Sequence, residues 1–414
     1  MTRLLVLLTA LLAALPAAAQ WPAEAWAEDQ TFGDITIRGN ASTSAWLIRN
    51  ELLFASGDAF DMDLVDATWE HLEDLGWFAF VDISLDDEMA DAVPVTVTVE
   101  EDQTFRYYPV IDYDRRWDIL LGARAYDVNL RGRGEQLSIT GIWHAPHRYT
   151  ASWSHPWLFG VRGLSWGLDG MWEDAEFVYR DFDHRRWQAR AHVRWQPRGT
   201  WFAEAGATRA FFRQEGDFLG APSDWSAGER TRWILEGTLG LDMRDLAWYP
   251  TRGRYHALSL RRHVSDDFAD FTELRADLRE FVPTPWGHVL ALHARGRRVS
   301  GPVPPEDMLF WGGPETLRGF HYAQLEGEEG WLLSAEYRWP IFLMPISADG
   351  RVIGIGLHAF YDQGANWWDG GSASPRHDWG AGAHINISAH QFRFEVARTD
   401  DGRTAFQFMD SFNF

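Results

Sequence analysis

From Thr104 onward the chain reads as short segments in which apolar and polar residues alternate, and this period of two constrains the fold more than any other feature. About sixteen segments of roughly ten residues can be laid out. That is the length a tilted strand needs to cross a bilayer, and an even number returns the chain to its starting edge. Between Val352 and Asp362, Ile353, Ile355, Leu357, Ala359 and Tyr361 share one face, and Gly354, Gly356, His358 and Asp362 the other. Likewise Leu333, Ala335, Tyr337 and Trp339 oppose Ser334, Glu336 and Arg338. The first face of each suits lipid and the second a polar lumen. With 24 Trp, 26 Phe and 11 Tyr in 414 residues, the chain carries more amphipathic ring surface than a soluble core requires, as the two interfacial girdles of a membrane barrel would. The expected fold is mainly β, a 16-stranded antiparallel transmembrane β-barrel over residues 103–414 with an apolar exterior and a polar lumen. Short turns at Gly132-Arg133-Gly134 and Pro197-Arg198-Gly199 contrast with long polar loops at Gln214 to Arg230, Pro302 to Gly330 and Asn366 to Asp378. The long ones fall where extracellular loops belong if the first strand rises from the periplasm.

The first residues set the compartment. Arg3, an apolar run through Leu15, then Pro16 and Ala17, Ala18 and Ala19 read as a secretory signal over residues 1–19, with a short segment, 20–30, after it. Beyond the signal there is no run of about 20 apolar residues, which excludes helical membrane spans. With no cysteine, a disulfide framework and a thiolate metal site are both excluded. The formal charge of -22 is uneven: between Gln20 and Gln103 about twenty acids face only Arg38 and Arg49. Nucleic acid is therefore excluded as a partner, and anionic headgroups would repel this segment, so its charge means a cationic partner or, the favoured reading, solubility. All 38 basic residues are arginines.

Residues 31–102 read as a small α+β domain of strand, helix, helix, strand, strand. Ile35 and Ile37 alternate up to Gly39-Asn40; Ser42 or Thr43 is placed to cap a helix through Trp46, Leu47, Glu51 and Leu52, which Gly57 stops. A second helix starts after Asp61 and carries Leu64, Val65, Trp69 and Leu72 to Gly76; Phe78 to Leu85 and Val93 to Val99 then alternate. The succession Ile35-Thr36-Ile37-Arg38-Gly39-Asn40, helix, Gly57-Asp58-Ala59-Phe60, helix, Leu75-Gly76-Trp77-Phe78-Ala79-Phe80-Val81-Asp82-Ile83 resembles a POTRA domain. Such domains precede the barrel in the outer-membrane assembly superfamily that includes BamA, TamA and the two-partner secretion transporters. The resemblance implies binding of client segments and partner proteins by strand addition at a sheet edge.

Two further features fit the same family. Phe406, Phe408, Phe412 and Phe414 share one face of the closing strand, and a terminal aromatic resembles the signal that outer-membrane barrels present to their assembly machinery. In the long loop after the eleventh segment, Trp311-Gly312-Gly313-Pro314-Glu315-Thr316-Leu317-Arg318-Gly319-Phe320 resembles the superfamily's loop-six signature. That resemblance implies a loop folded into the barrel, with Arg318, Gly319 and Phe320 at its tip and Arg318 paired to acids on the next two strands. Glu336 and Asp362 stand at those places, on the face that parity alone assigns to the lumen. Asp242-Met243-Arg244-Asp245 with Tyr249-Pro250-Thr251-Arg252-Gly253, and Asp127-Val128-Asn129-Leu130 before Gly132, resemble recurrent strand ends and turns of the family. One POTRA domain fits before the barrel, fewer than in the best-known members, which leaves the client open.

Gly163-Leu164-Ser165-Trp166-Gly167 has nucleophile-elbow spacing, but Ser165 opens an alternating strand rather than a strand-to-helix turn, so no catalytic role is expected. The 15 histidines show no HExxH or comparable spacing; neither a metal nor a cofactor is expected. Three function classes follow. An assembly or insertion factor would open a seam between a first strand near Phe105 to Tyr113 and a last one at Arg403 to Phe414; a secretion transporter would conduct an unfolded chain through the lumen; a passive barrel would need neither POTRA nor the Arg318 motif. The partners implied are outer-membrane lipids, unfolded client polypeptides and a periplasmic or inner-membrane protein at the POTRA domain.

Overall fold

The computed structural model describes residues 30–87, 90–114, 118–143, 146–177, 182–197, 199–216, 227–246, 249–346, 352–368, 371, 373–388 and 390–410. The signal segment, Phe412 and Phe414 lie outside the described residues. The front region contains β1 (Thr31–Arg38), α1 (Ala45–Glu51), α2 (Met62–Asp74), β2 (Phe78–Leu85) and β3 (Ala92–Glu101). Its sheet runs β1-β3-β2, parallel between β1 and β3 and antiparallel between β3 and β2. Leu47 and Ile48 of α1 and Val65 and Leu72 of α2 pack on Phe32, Val81, Val95, Val97 and Val99, so helical spacing on two elements meets strand alternation on the others in one dry core. Asp61 caps α2, its carboxylate accepting the Asp63 N–H at 2.9 Å. The expected cap of α1 is corrected. Its N-cap is Ser44, which makes no side-chain capping bond, while Ser42 and Thr43 turn their N–H groups to the Glu101 carboxylate at the end of β3. Two donors from a bend satisfy a carboxylate better than one helix terminus can use a hydroxyl.

The barrel strands follow in order: β4 (Phe105–Asp114), β5 (Asp118–Leu130), β6 (Glu135–Trp143), β7 (His147–His155), β8 (Leu164–Phe177), β9 (Phe182–Trp195), β10 (Trp201–Glu215) and β11 (Gly228–Asp242). Then come β12 (Gly253–Ser265), β13 (Phe271–Pro283), β14 (Val289–Ser300), a loop ribbon of β15 (Leu309–Trp311) and β16 (Leu325–Gly327), and β17 (Glu329–Pro345), β18 (Val352–Trp367), β19 (Arg376–Ser388), β20 (His390–Thr399) and β21 (Thr404–Asp410). Leaving out the ribbon, these strands form one antiparallel sheet of 16 strands. Parity holds as the sequence implies: Ile353, Ile355, Leu357 and Tyr361 are exposed, while Gly354, Gly356, His358 and Asp362 are buried. Tyr149, Trp172, Trp187 and Phe211 stand side by side across β7 to β10 as part of an aromatic belt. Two loops are shorter than their sequence limits, because β18 and β19 extend past Asn366 and Asp378 and β10 and β11 past Gln214 and Arg230. Ladder hydrogen bonds continue beyond the bilayer-spanning stretch wherever backbone groups would otherwise go unpaired.

Side chains cross the interior. Tyr249, in the turn between β11 and β12, reaches His384 of β19 with its hydroxyl 3.0 Å from Nε2, and Arg338 of β17 donates to the Pro250 carbonyl at 3.4 Å. The front domain is docked on the barrel's turns. Ser44 N–H donates to Gly132 O at 3.0 Å, Asn129 Nδ2 to Thr43 Oγ1 at 2.9 Å and Trp77 Nε1 to Val128 O at 3.0 Å. Trp157, between β7 and β8, enters the front domain's apolar core and donates to Glu51 at 2.6 Å.

Candidate functional site

The loop between β14 and β17 folds back into the lumen. Gly312 and Gly313, at φ of 118° and 96°, start a compact turn in which Gly313 N–H meets the carbonyls of Leu317 and Phe320 at 3.2 and 3.1 Å. That conformation suits glycine because a Cβ there would strike the chain on the far side of the turn. Leu317 and Phe320 pack with Trp311 and Leu332, anchoring the turn to the wall and leaving Arg318, 1% exposed, pointing at it. Gly319 is required for another reason: an added Cβ would lie 2.7 Å from Asp378 Cβ and 2.9 Å from Thr399 Cγ2.

Arg318 bonds Asp362 through Nε at 2.7 Å and Nη2 at 2.9 Å, a two-pronged fit of guanidinium to carboxylate. Its Nη1 donates to Glu336 at 2.7 Å and lies 3.4 Å from Glu395. The guanidinium carbon sits 3.6 Å from the centre of the Phe360 ring, a cation–π contact in a dry setting. Gln407 of β21 donates its amide to the Arg318 carbonyl. The structure thus brings together Arg318, Glu336 and Asp362 as the sequence paired them, with Gly319 and Phe320 at the same tip. Phe406 and Phe408 are elsewhere, exposed on the outward face of β21, with the Phe408 ring tilted against that of Phe394, centroids 4.9 Å apart.

Sequence reasoning missed a second tier. Arg338 donates to Glu336 at 2.8 Å; Arg393 bonds Glu336 as well as Glu395, the latter at 2.9 Å; His358 Nε2 lies 2.8 Å from Glu395. Parity on β20, where Phe392, Phe394 and Val396 alternate with Gln391, Arg393 and Glu395, was the available signal. Glu336, His358 and Glu395 offer ligand atoms within 4.8 Å of one another, the geometry of a metal cradle. Three guanidiniums already donate to those carboxylates, and a divalent cation among them would meet like charge, so the donor set does not fit a metal. Ser165 lies within the β8 ladder opposite Arg194, its hydroxyl 3.4 Å from that residue's carbonyl oxygen, on a strand rather than at a strand-to-helix turn.

A family model described as the Omp85 superfamily domain matches residues 129–414, and one described as a surface antigen variable number repeat, POTRA, matches residues 30–102. No curated protein matches in sequence. Among solved structures, BamA from Haemophilus ducreyi lacking POTRA domains 1-3 is similar with a TM-score of 0.69 at 15% identity, over 91% of this chain and 83% of that one. CdiB from Acinetobacter baumannii and CdiB from Escherichia coli each give a TM-score of 0.61, at 14% and 13% identity, over 92% of this chain and 73% and 74% of theirs. At such identities the likeness concerns the fold.

Proposed function

Because this chain belongs to the Omp85 superfamily, with one POTRA domain before its barrel, we propose that it is an outer-membrane assembly factor that inserts client barrels through a lateral seam. The observation that carries this reading is the seam between the first and last described strands of the sheet. Among the described residues every other neighbour in the sheet shares a ladder, but none joins β4 to β21. β4 contains Pro109, which lacks an N–H and is tolerated at a sheet edge. Phe105 and Tyr107 of β4 are exposed on its outward face and Tyr108 on the other, so this edge offers backbone and rings to an incoming strand. Arg318, Glu336 and Asp362 act here as the lock that holds the loop while the seam works, and Gln407 ties that lock to the seam strand. Phe406 and Phe408, with Phe412 and Phe414 beyond them, serve as the recognition signal for the chain's own assembly. The POTRA domain sits in the periplasm and hands clients upward.

Cysteines placed along residues 105–110 and 404–409 test the seam. Oxidation should crosslink them and abolish insertion of a client barrel in proteoliposomes, with recovery on reduction; a crosslinked barrel that still inserts its client disproves the reading. A secretion reading draws on the charged lumen, where Arg190 pairs with Glu204 and Arg261 with Glu236. A dedicated secreted protein, instead of a barrel precursor, captured on the POTRA domain in cells would favour it.

A further inference from the structure

The loop that ends in Arg318 also has a beginning, and that beginning is held in place as firmly. Pro302-Val303-Pro304-Pro305 leads into Glu306 and Asp307; three prolines fix φ along the approach, and Val303, Pro304 and Pro305 are buried. Glu306 accepts from Arg230 Nε at 3.1 Å and from Arg232 Nη1 at 3.1 Å. Asp307 pairs with Arg232 Nη2 at 2.7 Å, and its backbone carbonyl takes Nη1 of Arg297 at 2.5 Å. The Glu306 side chain is 4% exposed and those of Arg230 and Arg232 7%, so this is a buried cluster and not a rim contact. Gln214 of β10 holds Arg230 from behind at 2.9 Å.

The two ends grip different parts of the wall. The acidic foot sits on β11 and β14, the arginine tip on β17, β18 and β20, and three strands separate β11 from β17. Their polarities are opposite: carboxylates in an arginine socket at one end, a guanidinium in a carboxylate socket at the other. Like charge would reject either end from the wrong socket, which fixes the direction in which the loop lies. Under the span, Met308, Leu309 and Trp311 roof a luminal cavity of about 480 Å³ whose walls include Arg194, Glu236, Tyr255 and Arg275.

We infer that the loop is a strut fixed at both ends, and that Glu306 and Asp307 in the socket of Arg230, Arg232 and Arg297 form a second anchor that keeps the barrel mouth away from the POTRA domain shut. Removing it frees the roof of the cavity while the Arg318 end stays bound. This rests on the barrel and its loop, not on the seam, so its failure and that of the assembly reading are separable.

The test uses the full-length protein in planar bilayers of phospholipid, with potassium chloride current as the readout and no client. Glu306→Gln with Asp307→Asn should raise the frequency and size of openings several-fold, with the barrel still heat-modifiable. Channels of that variant as quiet as the parent's would overturn the inference. If the variant does not fold, a tether decides: Arg232→Cys with Asp307→Cys should be open untreated and closed once a bifunctional thiol reagent spans the length of the lost guanidinium. A current unchanged by the crosslinker, with the crosslink formed, would overturn it equally.

Discussion

The POTRA domain and the barrel use one sequence period for opposite ends. In β3, Val93, Val95, Val97 and Val99 are buried, while Pro94 and Thr98 between them are partly exposed and Thr96 is buried with its hydroxyl bonded to Asp86 at 2.8 Å. In β12, Leu258 and Leu260 point out, more than half exposed, and the other parity carries Arg261 and His263 inward to Glu273. Burial of apolar surface drives the first arrangement. In the second, lipid supplies the apolar phase, the ladder satisfies the backbone, and the interior is left free to hold charge. A strand pattern therefore reports which side is apolar and says nothing of which side is inside; the surrounding solvent decides that.

The contrast can be broken most severely at the lumen. Arg318→Ala leaves Glu336, Asp362 and Glu395 buried around a missing cation, which should cost about 3–5 kcal/mol of barrel stability, read by heat-modifiability in detergent. Glu336→Ala with Asp362→Ala should fall well short of the sum of the single losses; strict additivity would mean the two carboxylates do not share one partner. Next in size is a swap of outward residues. Leu258→Arg near the middle of β12 should cost about 2–4 kcal/mol in lipid, whereas Phe80→Arg on the exposed face of the POTRA sheet should stay within about 0.5 kcal/mol in urea titration. Equal effects would mean that β12 does not face lipid. A smaller loss than those at Arg318 and Leu258 belongs to Glu101. Burial pushes its carboxyl up, but the hydroxyl and N–H of Ser42 and the N–H of Thr43 outweigh that and hold it at about 2, below its ordinary 4.5. A depressed carboxyl stabilises the fold fully above 4.5 and loses that contribution as pH falls toward 2. Glu101→Gln should cost about 1 kcal/mol at pH 7 and remove the matching part of the acid dependence of POTRA unfolding; an unchanged acid limb refutes the role.

How much of the lock could be read beforehand follows from what each residue depends on. Glu336 and Asp362 were legible because parity places them inward and the Arg318 motif names a partner on the two following strands. Glu395, Arg393 and Gln407 were equally inward by parity, yet nothing in their spacing says they stand level with the loop tip. Height along a barrel is set by strand tilt and stagger accumulated from strand to strand, which no single segment encodes. The Glu306 foot was hidden for a related cause: its arginine partners lie 74 and 76 residues away on a strand that meets the loop only after the sheet curls. The α1 cap was misplaced because the competing acceptor, Glu101, arrives from 59 residues downstream.

Local pattern by itself determined the strand class and the apolar and polar face of each strand, since each depends on side-chain period, while the pairing of Arg318 with two acids followed from the resemblance of its motif to the family's. Tertiary structure alone decided which charges share a level in the lumen and where the loop's second foot rests. Those outcomes depend on the register of the whole sheet, a sum over sixteen strands that is defined only once the barrel has closed.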